Sequence, residues 1–221
     1  DRSLSVRATG TRPGYQPGTS TSAPVTVAPG APLTPASPPR ITGTPKAGEH
    51  LTVLSGTWSP DVAGTEFGFQ WLRDGEAIPG ATTDGYVVRA ADAGRTLAVV
   101  VTASATGHAS GTATTEAVEV ARLDSTTALA LVKKRLLQGK RAKVRVTVRA
   151  TGASPTGTVT VREGARVVAR LTLRADGTAS GVLKKLKPGR HRLTAHYAGT
   201  GTVAGSASKP VTLTIVKKKR R

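Results

Sequence analysis

The sequence predicts an all-β chain of tandem sandwiches, and three observations carry that prediction. Residues 1–27 return without a gap 93 positions later as residues 94–120, with ten identical pairs that include Leu4/Leu97, Val6/Val99, Thr9/Thr102, Gly18/Gly111 and Val25/Val118. That period is too long for a solenoid unit and suits one sandwich of roughly 100 residues. Short runs alternate apolar and polar residues, most clearly Lys143–Arg149, where Val144, Val146 and Val148 share one face and Lys143, Arg145 and Arg149 the other. Turn dipeptides (Asp74-Gly75, Glu163-Gly164, Asp176-Gly177) punctuate these runs, and no helical period competes with them.

The repeat also divides the chain. Residues 1–28 match only the last third of a unit, so they are expected to be the C-terminal hairpin of a truncated repeat. Its earlier strands would then lie outside this sequence, and a hairpin alone is marginal in water. Residues 29–38 carry Pro29, Pro32, Pro35 and Pro38, a density that favours extended backbone and reads as a semi-rigid spacer. The first whole unit is 39–121. Within it Phe67, Phe69 and Trp71 alternate onto one face and Leu97, Val99 and Val101 onto another, which marks both sets as core. The second unit is 122–216, and residues 217–221 form a basic tail.

Composition limits the chemistry. Only seven residues are aromatic, so the cores must be built from Val, Leu, Ala and Ile. Cysteine is absent, so neither disulfides nor thiol chemistry are available, and without asparagine there is no N-glycosylation acceptor. Nothing approaches the ~18 consecutive apolar residues of a membrane span. Charge is split: residues 1–121 hold 8 Lys/Arg and 10 Asp/Glu, whereas residues 122–221 hold 24 Lys/Arg and only Asp124, Glu163 and Asp176.

Several motifs, in order, resemble a known family. Pro39-Arg-Ile-Thr-Gly, Gly56-Thr-Trp58, Phe69-Gln-Trp-Leu-Arg-Asp-Gly75, Ile78-Pro-Gly-Ala-Thr82 and Ala91-Asp-Ala-Gly94 look like the immunoglobulin-like repeats of secreted actinobacterial proteins. Pro155-Thr-Gly-Thr-Val-Thr-Val161, Asp176-Gly-Thr-Ala179 and Leu193-Thr-Ala-His-Tyr197 resemble another bacterial immunoglobulin-like repeat. In that family an acidic loop usually follows the tyrosine. Here Ala198-Gly-Thr-Gly-Thr-Val203 stands in its place, so no role of that loop carries over. The resemblance implies tandem immunoglobulin-like β-sandwiches in an extracellular or cell-surface bacterial protein.

Catalysis has little to stand on, and no enzyme is expected. Of the four histidines, His191 and His196 share a strand but differ by five, which points them to opposite faces. They lack the converging ligands a metal needs, and neither a phosphate-cradling Gly-Lys-Ser/Thr loop nor a nucleophile elbow is present. No catalytic residue, metal or cofactor is expected. Trp58 and Trp71 are candidates for sugar stacking, which makes a carbohydrate-binding accessory module of an extracellular enzyme the alternative reading. Trp71, in phase with Phe67 and Phe69, reads better as core.

Charge gives the sharper expectation. Lys133, Lys134, Arg135, Lys140, Arg141, Lys143, Lys184, Lys185, Lys187, Arg190, Arg192, Lys217, Lys218, Lys219, Arg220 and Arg221 are the candidate polyanion-binding residues. A net charge of +21 on residues 122–221 exceeds what solubility needs and would attract an anionic cell-wall polymer or polysaccharide, with non-specific nucleic acid as a second candidate partner. Sequence-specific reading of DNA is not expected, because the basic half holds one aromatic residue, Tyr197, and no docking helix. A monomeric, non-catalytic structural and adhesive module is the resulting expectation.

Overall fold

A computed structural model describes residues 2–217. Strands dominate, and one 3-10 turn, Ala90–Asp92, is the sole helical element among the described residues. Two separate hydrophobic cores form, one in each half.

The first core lies between two sheets. One orders Gly85–Val87, His50–Leu54 and Arg40–Gly43; the other orders Glu76–Ala77, Glu66–Arg73, Thr96–Ser104 and Gly111–Thr114, with Val118–Glu119 also on Thr96–Ser104. Alternation does what the sequence requires: Leu97, Val99 and Val101 are fully buried, and Val99 stands opposite Trp71. Asp74 and Gly75 both take positive φ, 49° and 86°, the pattern of a two-residue hairpin turn whose twist suits the flanking strands.

Two expectations are corrected here. Phe67 is on the face of Trp71 but is 37% exposed, outside the buried cluster around Trp71, with its ring 6.2 Å from that of Trp58. The spacer read at 29–38 is in part a strand of the first sandwich. Thr34–Ser37 pairs with Thr57–Ser59, and Leu33 is buried at 1% exposure, its N–H bonded to the Ala109 carbonyl. Proline tolerates such an edge position, where its missing N–H faces away from the ladder.

The second core lies between Ser125–Leu131, Lys143–Ala150 and Thr178–Val182 on one side and a larger sheet on the other. The larger sheet runs Arg135–Leu137, Val211–Val216, Gly189–Tyr197, Thr158–Glu163, Arg166–Thr172, with Ser206–Ala207 joined to Gly189–Tyr197. Val144, Val146 and Val148 point inward with Val159, Val161, Leu193 and Leu213.

Residues 2–27 form two ladders, Arg2–Leu4 with Val25–Val27 and Arg7–Gly10 with Gly18–Thr21. Their register is that of the first unit displaced by 93: Leu4 faces Val25 as Leu97 faces Val118, and Thr9 faces Thr19 as Thr102 faces Thr112. The burial differs completely. Leu4 and Val6 are 65% and 71% exposed where Leu97 and Val99 are fully enclosed.

The two sandwiches meet closely. Lys46 Nζ lies 3.1 Å from Asp124 Oδ2, and Arg122 donates to the Thr200 carbonyl at 3.4 Å. Gly94, at φ +68°, sits where a Cβ would come within 2.0 Å of the Gly201 carbonyl oxygen.

Candidate anion-binding surface

Strand direction decides where the cations of the second unit gather. Ser125–Leu131 and Val211–Val216 run away from the joint at Asp124 and Gly201, and Gly189–Tyr197 runs back toward it. The connections at residues 132–142 and 183–188, together with Lys217, therefore occupy the tip farthest from the first unit. Lys133, Lys134, Lys140, Arg141, Lys184, Lys185 and Lys187 all lie in these connections and are exposed. Backbone bonds hold the tip in place: Val132 N–H donates to the Lys143 carbonyl at 3.0 Å, Thr214 N–H to Lys134 at 2.9 Å, and Gln138 N–H to Val216 at 2.8 Å. Gly139, at φ +93°, makes the reversal that a side-chain-bearing residue would resist.

The larger sheet presents a second group on its outer face. Arg135 and Arg190 flank Thr214 in one cross-strand row. Arg192 stands opposite Thr212, Arg162 opposite Thr194, and Arg170 opposite Thr160. Arg162 Nε also donates to Thr160 Oγ1 at 3.3 Å. With strands about 4.8 Å apart, Arg135 and Arg190 sit about 10 Å from each other across the threonine. Arg162 and Arg170 were not among the sequence candidates. Their alternation with threonine in Thr158–Glu163 and Arg166–Thr172 was the available signal.

The candidate cations do not share one face. Lys143 projects from the opposite sheet, in a column with Arg145 and Arg149 that has small neighbours, Ala130 and Ser180 beside Arg145. Lys217 adjoins the tip through Val216, and Lys218, Lys219, Arg220 and Arg221 lie outside the described residues.

The acids are engaged elsewhere. Asp124 meets Lys46 at the joint. Glu163 Oε1 is 2.6 Å from His191 Nδ1, and His191 Nε2 faces the Lys187 carbonyl at 2.8 Å. Asp176 accepts from the Thr178 hydroxyl and N–H, bonds that hold its carboxyl below the usual range. Consequently no lysine or arginine of residues 122–217 is in an ion pair among the described residues.

His191 lies on the inner face and His196 on the outer, as their spacing requires, and no cluster of three His, Asp or Glu converges among the described residues. In the first unit Asp92 is fully buried and collects Arg73 Nε at 2.6 Å, Tyr86 Oη at 2.9 Å and the Arg89 N–H at 2.7 Å. It fastens the 3-10 turn to the sheet. Trp71 is enclosed, stacked on Tyr86 at 5.1 Å, with its Nε1 donating to the Thr83 carbonyl. Trp58 is 7% exposed and its ring is tilted 48° to Phe67, so the two offer no flat platform for a sugar. No helix of the described residues is long and apolar enough to cross a membrane.

Comparison with known proteins agrees with this architecture. Residues 129–216 match the family model described as bacterial Ig-like domain (group 3), and this segment is similar to such domains. Domains of that kind are typically non-catalytic. Similar solved structures include the fibronectin(III)-like modules of Clostridium thermocellum CbhA, at 15% identity and TM-score 0.36, covering 86% of this chain and 98% of that one. An amphioxus IgVJ-C2 molecule aligns at 15% identity and TM-score 0.40, over 82% and 98% of the two chains. A 1.5-MDa bacterial ice-binding adhesin aligns at 14% identity and TM-score 0.34, over 83% of this chain and 66% of that one. At these scores the likenesses bear on neither ligand nor partner. No curated protein is significantly similar to the chain.

Proposed function

We propose that this chain is a non-catalytic structural and adhesive module of a secreted or cell-surface bacterial protein. Tandem sandwiches space a neighbouring domain, and the basic tip and arginine-threonine face of the second unit contact anionic envelope polymers. The organisation we assign is a repeat-derived hairpin at 1–28, a sandwich that takes in Leu33–Ser37 and ends at 121, and a basic sandwich at 122–216. One observation carries the reading: every acid of the second unit has its own partner, and its lysines and arginines are left without ion pairs among the described residues. A surface meant only for solubility mixes the two signs. One sign gathered at the tip instead draws polyanions through a shared field.

The test is salt dependence with the full chain and two probes, purified wall teichoic acid and duplex DNA. Engaging six or more phosphates should cost about a thousandfold or more in affinity between ~50 and ~200 mM salt. Arg190→Glu with Arg192→Glu should weaken binding of both probes. Binding that ignores salt, or that survives both reversals unchanged, would refute the mechanism.

A further inference from the structure

The tip holds more than charge. A recess of about 570 Å³ opens between the connection after Ser125–Leu131 and the turn before Lys143–Ala150. Five cations rim it: Lys133, Arg135, Lys140, Arg141 and Lys143. Its floor is apolar, made by Val132, Leu136 and Leu137. Val132 is 65% exposed and Leu137 52%, outside the core that encloses Val144, Val146, Leu193 and Leu213. Recesses of roughly 300–1,000 Å³ with an apolar lining and a few convergent polar groups are the usual form of a small-ligand site. Here the polar groups carry one sign only, and the Val132, Thr214, Gln138 and Lys140 backbone bonds already fix the walls.

We propose that this recess binds a single-chain anionic amphiphile, a phosphate on an alkyl stem, with the phosphate among the cations and the stem over Leu137 and Val132. The inference rests on the reading of the tip as an anion-contacting surface and names its ligand class. A bare polyanion leaves the apolar floor uncovered, and a neutral chain leaves five cations unanswered. Only a ligand with both parts matches both halves of the site, with the aliphatic stems of the lysines and arginines extending the apolar wall.

The experiment is a calorimetric titration of the full chain with inorganic phosphate, butyl phosphate, octyl phosphate and octyl glucoside, below micelle formation, at ~300 mM salt where electrostatic polymer contacts are weak. Octyl phosphate should bind one to one and at least tenfold more tightly than butyl phosphate, since each fully buried CH₂ strengthens binding about fourfold. It should also exceed octyl glucoside by tenfold or more. Leu137→Ser should erase the chain-length dependence, and Lys140→Glu with Arg141→Glu the preference for phosphate over glucoside. Leu137 is exposed, so L137S should fold, and duplex DNA binding by L137S at low salt serves as the control. Equal affinity for butyl and octyl phosphate, or for octyl phosphate and octyl glucoside, overturns the proposal. If DNA binds at low salt while octyl phosphate does not, the recess fails alone; if neither binds, the anion-contacting reading fails with it.

Discussion

The Thr115 hydroxyl accepts the backbone N–H of Val99 at 3.0 Å, while the N–H of Thr115 returns to the Val99 carbonyl at 2.9 Å. The same reciprocal pair joins Ser22 to Val6 and Ser208 to Ala195, each hydroxyl at 2.9 Å. The three hydroxyls stand 93 residues apart in succession. Each fills a ladder position where the backbone no longer supplies an acceptor, so the repeat unit carries one side chain as a stand-in for a main-chain carbonyl.

Burial sets what each copy contributes. Thr115 and Ser208 are buried, and Ser22 is exposed. Thr115→Val should cost the first unit about 1–3 kcal/mol by leaving a buried N–H unsatisfied, and Ser208→Ala should cost the second a similar amount. Ser22→Ala should stay within about 0.5 kcal/mol, because water replaces the lost acceptor. Denaturant unfolding followed separately for each unit checks all three, and an equal loss at Ser22 would show that residues 2–27 are enclosed in solution.

Trp71 and Phe67 share a strand face but not an environment, so truncation should separate them. Trp71→Ala should destabilise the first unit by ~3–5 kcal/mol, the cost of removing a buried large aromatic. Phe67→Ala removes only a tilted contact with Trp58, 6.2 Å between ring centres, and should cost ~1 kcal/mol. A loss below about 1 kcal/mol for Trp71→Ala would place that ring at the surface and bring back the sugar-stacking alternative.

What was legible in the chain was whatever alternation alone determines. Val144, Val146, Val148, Leu97, Val99 and Val101 are core because a strand has two faces and only one can be apolar. Phe67 obeys the same alternation and is still exposed, because alternation assigns a face and not what lies over it. Thr34–Ser37 reads as spacer from its prolines, and only pairing with Thr57–Ser59 makes it a strand. Charge totals foretold a basic second half. They could not say that Arg135 and Arg190 share a row while Lys143 belongs to the opposite sheet, nor that Glu163 is taken up by His191 across 28 residues.

Tyr86 gives the first unit an alkaline limit. Burial first, and then its hydrogen bond and proximity to the Asp92 carboxylate, push the phenol above its ordinary value near 10, with Arg73 opposing. A raised folded-state pKa favours the protonated form in the fold. Its stabilisation is therefore complete below about pH 10 and disappears as pH climbs through the folded value. Unfolding midpoints between pH 8 and pH 11.5 should fall more steeply for the parent chain than for Tyr86→Phe. Asp92→Ala, which strands Arg73 and Tyr86, should cost ~3 kcal/mol at neutral pH, the low end for a broken buried pair because Arg73 still reaches water. Identical alkaline slopes in the parent and Tyr86→Phe would sever Tyr86 from the effect.

The joint between sandwiches turns on Gly94, and a second glycine isolates its contribution. Gly94 and Gly107 both adopt left-handed backbone, φ +68° and +83°, yet a Cβ on Gly107 meets open space. Gly107→Ala should therefore carry only the left-handed penalty, about 1–2 kcal/mol, with no change in how the units sit. Gly94→Ala carries that penalty and also drives a methyl into the Gly201 carbonyl, a backbone atom that cannot rotate aside. The units must then separate, and the exposed Lys46–Asp124 pair, of the kind contributing ~1 kcal/mol or less, is too weak to hold them. Small-angle scattering should show a broader distance distribution for Gly94→Ala than for Gly107→Ala. Superimposable curves would mean that the two sandwiches do not rest against each other at this point, and that the spacing role depends on the 121–124 connection alone.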